Sequence, residues 1–159
     1  MNIKKIFSKK SITFTVTGKP PQKSQWGTKD AELVIKLREA ALKARNNAGI
    51  NQCITTPIKL SITIYAPNID DINYSQDIVD DPKLYIGDLD SLVAGICDYL
   101  HKGPKKENKF IPSPLFDNKP EIGPDIPLII DDDSKIISIM AEKKVSEKQI
   151  YYTVKIELL

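Results

Sequence analysis

The sequence feature that most constrains the fold is a segment in which two carboxylates lead into an amphipathic helix. Residues 85–100 read YIGDLDSLVAGICDYL, and the apolar side chains from Leu89 onward repeat at helical spacing. Asp88 and Asp90 flank Leu89. In an extended lead-in, side chains two residues apart share a face, so we expect both carboxylates to point the same way. Asp90 or Ser91 is placed to cap the helix by accepting its free N–H groups.

A second acidic group follows an apolar run later in the sequence. Residues 128–130 are Leu-Ile-Ile, residues 131–133 are all Asp, and the apolar pattern resumes at Ile136. Because apolar residues bracket these carboxylates on both sides, we expect them to be held near the core. Three or four carboxylate oxygens brought together make a site for a hard divalent cation such as Mg²⁺. The alternative is that Asp88 and Asp90 cap a helix and that the triplet is an acidic turn.

These two motifs, in this order, resemble the RusA-like Holliday-junction resolvases, which are small homodimeric Mg²⁺-dependent endonucleases. The segment VTGKPPQKS at residues 16–24 is similar to the opening strand and basic loop of that family. The resemblance implies that Asp88, Asp90 and Asp133 are the catalytic carboxylates. It also implies a metal site formed by these three residues and Asp132, with Mg²⁺ as the cofactor and Mn²⁺ able to replace it.

The resemblance further implies DNA contacts from Lys19 and Lys23 in the N-terminal loop and from Lys135. Two residues depart from the family pattern. Ser91 stands where the family motif usually has Asn, and Ala94 stands where a basic residue often supports DNA binding or catalysis. Lys135, on the facing segment, is the candidate to replace that missing cation.

The function implied by the resemblance is the resolution of four-way junctions or other branched DNA, as in recombination and repair. Its chemistry would be attack of a metal-activated water on a phosphodiester. A homodimer is implied too, because a C₂ dimer presents two equivalent sites to a roughly two-fold symmetric junction. Ala94 leaves open a non-catalytic DNA- or junction-binding relative. An acidic cation-binding interaction domain that never meets DNA is the third alternative.

Charge is distributed unevenly along the chain, although 23 Lys and Arg nearly balance 21 Asp and Glu. Residues 68–98 hold eight Asp and one Lys, whereas lysines cluster before residue 30 and at residues 102–109. An acidic pocket beside basic flanks suits metal-assisted chemistry on a phosphate backbone, but lysine clusters alone are ordinary solvated surface. The sequence has no apolar run long enough for a signal peptide or a membrane span, which predicts a cytoplasmic protein without membrane contact.

Apolar periodicity predicts an α+β fold. The expected order is β-α-β-α-β-β, with a mixed, mostly antiparallel sheet and helices on one face. Half-buried strands are expected at residues 11–18, 57–66 and 150–159. We expect residues 1–10 to be a basic extension and residues 11–159 a single RusA-like domain, with loop insertions at 67–82 and 102–127.

Five smaller expectations concern single residues or short segments. A helix capped by Thr28 or Asp30 should run to about Asn47, with Arg38 on its solvated side. Trp26 should be a packing anchor, and Cys97 a half-buried thiol. His101, the only histidine, is expected at the surface, and residues 143–148 are expected to form a charged hairpin turn.

Overall fold

The computed structural model of the chain describes residues 10–27, 30–67, 86–104 and 111–159. In these ranges two α-helices and four strands follow the predicted order β-α-β-α-β-β. They are β1 (Ser11–Thr17), α1 (Ala31–Asn47), β2 (Ile58–Ala66), α2 (Leu89–Asp98), β3 (Ile136–Val145) and β4 (Tyr151–Leu158). Single 3₁₀ turns lie at Pro114–Phe116, Pro120–Ile122 and Asp133–Lys135. The predicted α+β class is confirmed. The expected insertion at 67–82 lies outside the described residues except for Pro67, and so does the basic extension except for Lys10.

The four strands form one mixed sheet in the order β1-β4-β2-β3. β4 is antiparallel to both β1 and β2, whereas β2 and β3 are parallel. The sheet is therefore mostly antiparallel, as predicted. The prediction of a charged hairpin turn at residues 143–148 is wrong. β3 continues to Val145, and β3 and β4 are not neighbours, because β3 pairs with β2 after a crossover that contains α2.

One face of the sheet carries the hydrophobic core. In β1, Ile12, Phe14 and Val16 are buried and the residues between them are exposed, which confirms the predicted alternation. The buried residues of β2 and β4 join them in one hydrophobic cluster, together with Leu37 of α1 and Ile96 of α2. Residues on the same side of a strand recur every second position, so this pattern could be predicted locally.

Arg38 corrects the prediction for α1. The helix bounds agree with the sequence pattern, but Arg38 is completely buried, not on the solvated side. It lies one turn from Val34 and from Ala41, which are also fully buried, so all three share the face that packs inward. Burial lowers the pKa of Arg38 to about 9, which leaves the guanidinium charged at neutral pH.

The buried guanidinium is satisfied by five hydrogen bonds to backbone carbonyl oxygens, at 2.7–2.9 Å. The acceptors are the carbonyls of Tyr99, His101, Ile122, Gly123 and Ile126. The guanidinium carbon also lies 4.8 Å from the ring centroid of Trp26, which contacts Tyr99 edge to face. We call Trp26, Arg38 and Tyr99 the arginine hub. It fixes the end of α2 and the segment 122–126 against α1, so this part of the predicted loop insertion is packed into the domain.

Candidate functional site

Helix α2 begins at Leu89, where the apolar spacing becomes helical, but its N-cap residue is not the expected Asp90 or Ser91. Asp88 is the N-cap residue, with φ −75° and ψ 147°, and its side chain makes no capping hydrogen bond. Asp90 already lies in the first turn of the helix. The expected extended lead-in, with both carboxylates on one face, is therefore wrong. Gly87 precedes the cap at φ +103°, a backbone conformation that glycine adopts without strain.

Asp90 and Asp133 nevertheless line one cleft, which has a volume of 810 Å³. Its polar lining consists of Lys23, Asp90, Cys97, Asp98, His101 and Asp133. Its apolar lining consists of Leu89, Val93, Ala94, Ile136, Ile139 and Ala141. We call this the acidic cleft. Helix α2 forms one wall, and the start of β3 with the turn before it forms the other.

The helix wall follows from residue spacing. Asp90, Ala94 and Asp98 are four residues apart, which places their side chains one above another on a single face. Ala94 occupies the position where the resemblance leads one to expect a basic residue, and it lines the cleft without a charge. The positive charge in this cleft must therefore come from another segment.

Electrostatics at Cys97 show which charged groups come close together. The pKa of its thiol is raised to about 11, first by burial and then by the charges of Asp133 and Asp98, while Lys23 acts in the opposite direction. The thiol thus lies among groups from three separate segments. It is half-buried, as predicted, and is protonated at neutral pH, which makes it a poor nucleophile.

The loop that carries Lys23 is fastened to α2. The backbone N–H of Ser24 donates to Oδ2 of Asp98 at 3.2 Å. The N–H of Gln25 donates to the hydroxyl of Tyr99 at 2.7 Å. These bonds hold the two residues that follow Lys23, so the end of α2 keeps Lys23 at the cleft. Lys19, the other predicted DNA contact of this loop, is exposed and does not line the cleft.

Close contact between this loop and the helix depends on Gly95. A Cβ atom at Gly95 would lie 2.0 Å from the carbonyl oxygen of Pro21, so no other residue fits without moving the loop. Trp26, at the base of the loop, is buried in the arginine hub, which confirms its predicted role as a packing anchor. The position of Lys23 is therefore set by packing as well as by hydrogen bonds.

The three aspartates of the triplet have different surroundings. Asp131 has one buried oxygen, Oδ1, with no hydrogen-bond donor among the described residues. Asp132 is exposed, and the N–H of Ser134, which donates to its carboxylate at 2.9 Å, lowers its pKa. Asp133 opens the 3₁₀ turn before β3 and lines the acidic cleft. Only the third carboxylate therefore faces the cleft.

Two lysines stand near the predicted carboxylates but outside the cleft lining. Lys135 Nζ is 3.9 Å from a carboxylate oxygen of Asp131, so its charge is directed towards the triplet. Lys143 Nζ donates to the carbonyl of Gly87 at 2.8 Å, and Asp88 partly offsets the lowering of the Lys143 pKa by burial. The sequence pattern gave no reason to expect Lys143 near these carboxylates. The pairing of β3 with β2 brings it to the start of α2.

The donors suit a hard divalent cation in kind, but the described residues do not complete a site. Carboxylate oxygens are the ligands that Mg²⁺ prefers, and Asp90 and Asp133 face the same space. Asp88 and Asp132 do not line the cleft. In the part of the chain that the structure describes, no three His, Cys, Asp or Glu side chains are grouped closely enough to hold a metal ion. The five aspartates of residues 68–85 lie outside that part.

Asp98 and His101 are the two cleft residues that the sequence analysis missed. His101 was expected at the surface; it is half-buried there and lines the cleft. The available signal was the helical spacing: Asp98 lies eight residues after Asp90, and His101 follows one turn later. The turn that carries His101 past the end of the helix could not be predicted from that spacing.

Comparison with known proteins adds no family assignment. No protein-family model matches the sequence, and no curated protein matches it. Within the described ranges, no helix is long and apolar enough to cross a membrane.

Proposed function

We propose that this chain is a Mg²⁺-dependent, structure-selective DNA endonuclease that resolves four-way junctions, with a RusA-like fold. The observation that carries the proposal is the meeting of Asp90, Asp133 and Lys23 in the acidic cleft. The resemblance singled out these three residues from separate parts of the sequence. Their meeting in one cleft supports a shared role, and neither motif alone would do so.

Hydrolysis of a phosphodiester needs an activated water, compensation of the charge that develops on phosphorus, and help for the leaving oxygen. Asp90 and Asp133 would hold Mg²⁺ or Mn²⁺, with Asp88 and Asp132 close to them in sequence as further ligands. When bound, the cation would supply the activated water and part of the charge compensation. Asp90, Asp98 and Asp133 bring three carboxylates to one cleft, and a bound cation would offset their negative charge.

DNA would enter along the loop that carries Lys19 and Lys23. Lys23 lines the cleft and would contact an oxygen of the phosphate that is cut. Lys19 is exposed on the same loop and would contact a neighbouring phosphate. Lys135, beside Asp131, would contact the backbone on the other wall. Binding through such contacts weakens steeply as salt rises, because counterions are released from the DNA.

A homodimer is part of this proposal, and the edge strand β3 supports it. Large apolar side chains on β3 are exposed: Ile137 at 57%, Ile139 at 46% and Met140 at 73%. A second copy covering them would bring the two clefts close together, because Ile139 also lines the acidic cleft. We expect a dimer in sedimentation velocity at micromolar concentration, and a monomer for Met140→Glu. The variant Lys155→Glu, on the interior strand β4, should leave the dimer unchanged.

The second candidate is a DNA-binding relative that does not cut, and Ala94 favours it. A cation at this position of α2 would stand inside the cleft, beside the scissile phosphate, and this chain has none there. Such a protein would bind junctions with the same salt dependence but would leave every strand intact.

A cleavage assay separates these functions. A labelled four-way junction and a linear duplex of matched sequence would be incubated with Mg²⁺, Mn²⁺ or EDTA. The parental protein would be compared with Asp90→Asn and Asp133→Asn, and with Asp117→Asn, which removes an exposed carboxylate that does not line the cleft. We expect paired, metal-dependent nicks in the junction only. Loss of a cleft ligand should lower the rate about 10³-fold or more, and Asp117→Asn should cut like the parent.

Binding without cleavage in any metal would reject the nuclease and leave the second candidate. No junction affinity at low salt would reject both and leave an acidic cation-binding interaction domain. Calorimetric titration with Mg²⁺, in which Asp90→Asn is the control, then tests that remaining alternative.

A further inference from the structure

The ring of His101 is oriented by a hydrogen bond to the backbone of the next residue. Its Nδ1 lies 2.7 Å from the carbonyl oxygen of Lys102. A carbonyl oxygen carries no proton, so Nδ1 must be the donor in this bond. The second nitrogen, Nε2, is thereby left as the atom that exchanges protons. It lies 3.9 Å from Oδ1 of Asp98, which is an ion-pair distance when the imidazole is protonated.

The position of His101 is set by a side-chain contact and by a backbone contact. Asp98 faces it from α2 and is itself held by the N–H of Ser24. The backbone is fixed as well, since the carbonyl of His101 accepts a hydrogen bond from Arg38 at 2.9 Å. A histidine held in this way is positioned, not merely solvated.

We propose that His101 is the general acid of the cleft and protonates the sugar oxygen that leaves when the phosphodiester is cut. This role rests on the proposed nuclease function. In the step, the oxygen of water bonds to phosphorus and the bond from phosphorus to the sugar oxygen breaks. The proton on Nε2 passes to that oxygen, the attacking water releases its proton to solvent, and the imidazole regains a proton from solvent. General acid catalysis of this kind contributes about 10²–10⁴-fold.

Two other residues on the α2 wall of the cleft cannot take this role. Cys97 has a pKa of about 11 and is a weak acid. Ala94 has no proton to give, and His101 lies seven residues further along, two turns beyond Ala94 and near the C-terminal end of α2. A protonated His101 would therefore supply both the proton and the positive charge that the helix lacks at Ala94. The positive charge near the C-terminal end of α2 would also interact favourably with the helix dipole. Stabilisation of the helix is therefore the structural alternative to the catalytic role.

DNA with a sulfur atom in place of the leaving sugar oxygen tests the inference. A thiolate leaves without needing a proton, so the general acid becomes dispensable. For His101→Gln we expect cleavage of the normal junction to fall about 10²–10⁴-fold and cleavage of the sulfur junction to stay close to the parental rate. His101→Asn keeps an N–H for the Lys102 carbonyl and should behave in the same way. Lys102→Gln, the matched exposed neighbour, should cut both junctions like the parent.

Any other result overturns the inference, and the pattern of the two substrates shows which role of His101 is excluded. If His101→Gln and His101→Asn lose activity equally on both junctions, the residue has a structural role. If they cut the normal junction at the parental rate, His101 takes no part in the step. In both cases the nuclease function survives, provided that the parent cuts and Asp90→Asn cuts neither junction. A parent that cuts no junction rejects the nuclease and, with it, this role.

Discussion

The arginine hub and the acidic cleft meet at the end of α2 and handle charge in opposite ways. In the hub, one buried guanidinium is surrounded by five carbonyl oxygens and an aromatic ring, so its hydrogen-bond donors are satisfied within the protein. In the cleft, Asp90, Asp98 and Asp133 share a solvent-open space with one lysine and one histidine. All donors of the guanidinium in the hub therefore have partners, whereas in the cleft three carboxylates face one lysine and one histidine.

This difference predicts separate roles for the two regions: the hub stabilises the fold, and the cleft carries the activity. Tyr99 and the backbone of His101 belong to the hub, while Asp98 and the ring of His101 belong to the cleft. A rigid hub therefore holds groups of the cleft in fixed positions. Substitutions in the hub should lower stability first, and substitutions in the cleft should lower activity with little effect on stability.

The largest effect is expected from Arg38→Met. Removing the guanidinium leaves five carbonyl oxygens without their donor, at a cost of about 3–5 kcal/mol of unfolding free energy. Arg38→Lys should recover only part of this, since an ammonium group has three donors and no planar fork. Urea denaturation measures the loss. Lys43→Met, on the exposed side of the same helix, should change stability by no more than about 0.5 kcal/mol. Equal midpoints for Arg38→Met and the parent would contradict the hub.

An intermediate effect is expected from Gly95→Ala, which tests how the hub side of α2 positions the cleft. The new Cβ would meet the carbonyl of Pro21 at 2.0 Å, so the loop must move and Lys23 moves with it. We expect a loss of about 1–3 kcal/mol in stability and weaker junction binding. Denaturation and fluorescence anisotropy report the two changes separately. Ser91→Ala, exposed on the same helix, is the control, and unchanged binding by Gly95→Ala would show that loop position does not matter.

The smallest effect is expected at Cys97, whose reactivity reports the charges of the cleft. Its pKa of about 11 means that alkylation by iodoacetamide should be slow at pH 8 and rise as pH approaches 11. Asp133→Asn removes a negative charge, lowers this pKa and speeds alkylation. The pKa should stay above the ordinary value, because burial is the larger cause. Cys53, followed by mass spectrometry in the same sample, is the internal reference.

Mg²⁺ added to the parental protein should act on Cys97 in the same direction as Asp133→Asn, since a cation in the cleft stabilises the thiolate. The measurement is independent of cleavage. If Asp133→Asn leaves the pH dependence of alkylation unchanged, the carboxylate does not lie beside the thiol, and the description of the cleft is wrong at that point.

The strands and helix bounds could be predicted because the alternation in β1 and the helical repeat of α1 are local properties of the chain. The resemblance named Asp90 and Asp133 in advance, and both line one cleft. Arg38 could not be placed, because its partners are carbonyls that come together only in the folded protein. His101 was missed for a related reason: a lone histidine is usually at the surface, and its neighbours in space are distant in sequence.

The position of β4 has a consequence for biosynthesis. β1 leaves the ribosome before the other strands, yet its described neighbour in the sheet is β4, which is made after β1, β2 and β3. The edge of β1 that pairs with β4 therefore stays unpaired until Tyr151–Leu158 has emerged. Ile12, Phe14 and Val16 lack their β4 neighbours during that time. Pairing between such distant segments is slow to form and leaves apolar surface exposed meanwhile. A nascent chain stalled before residue 151 would be a natural client for a chaperone, whereas the released chain would not.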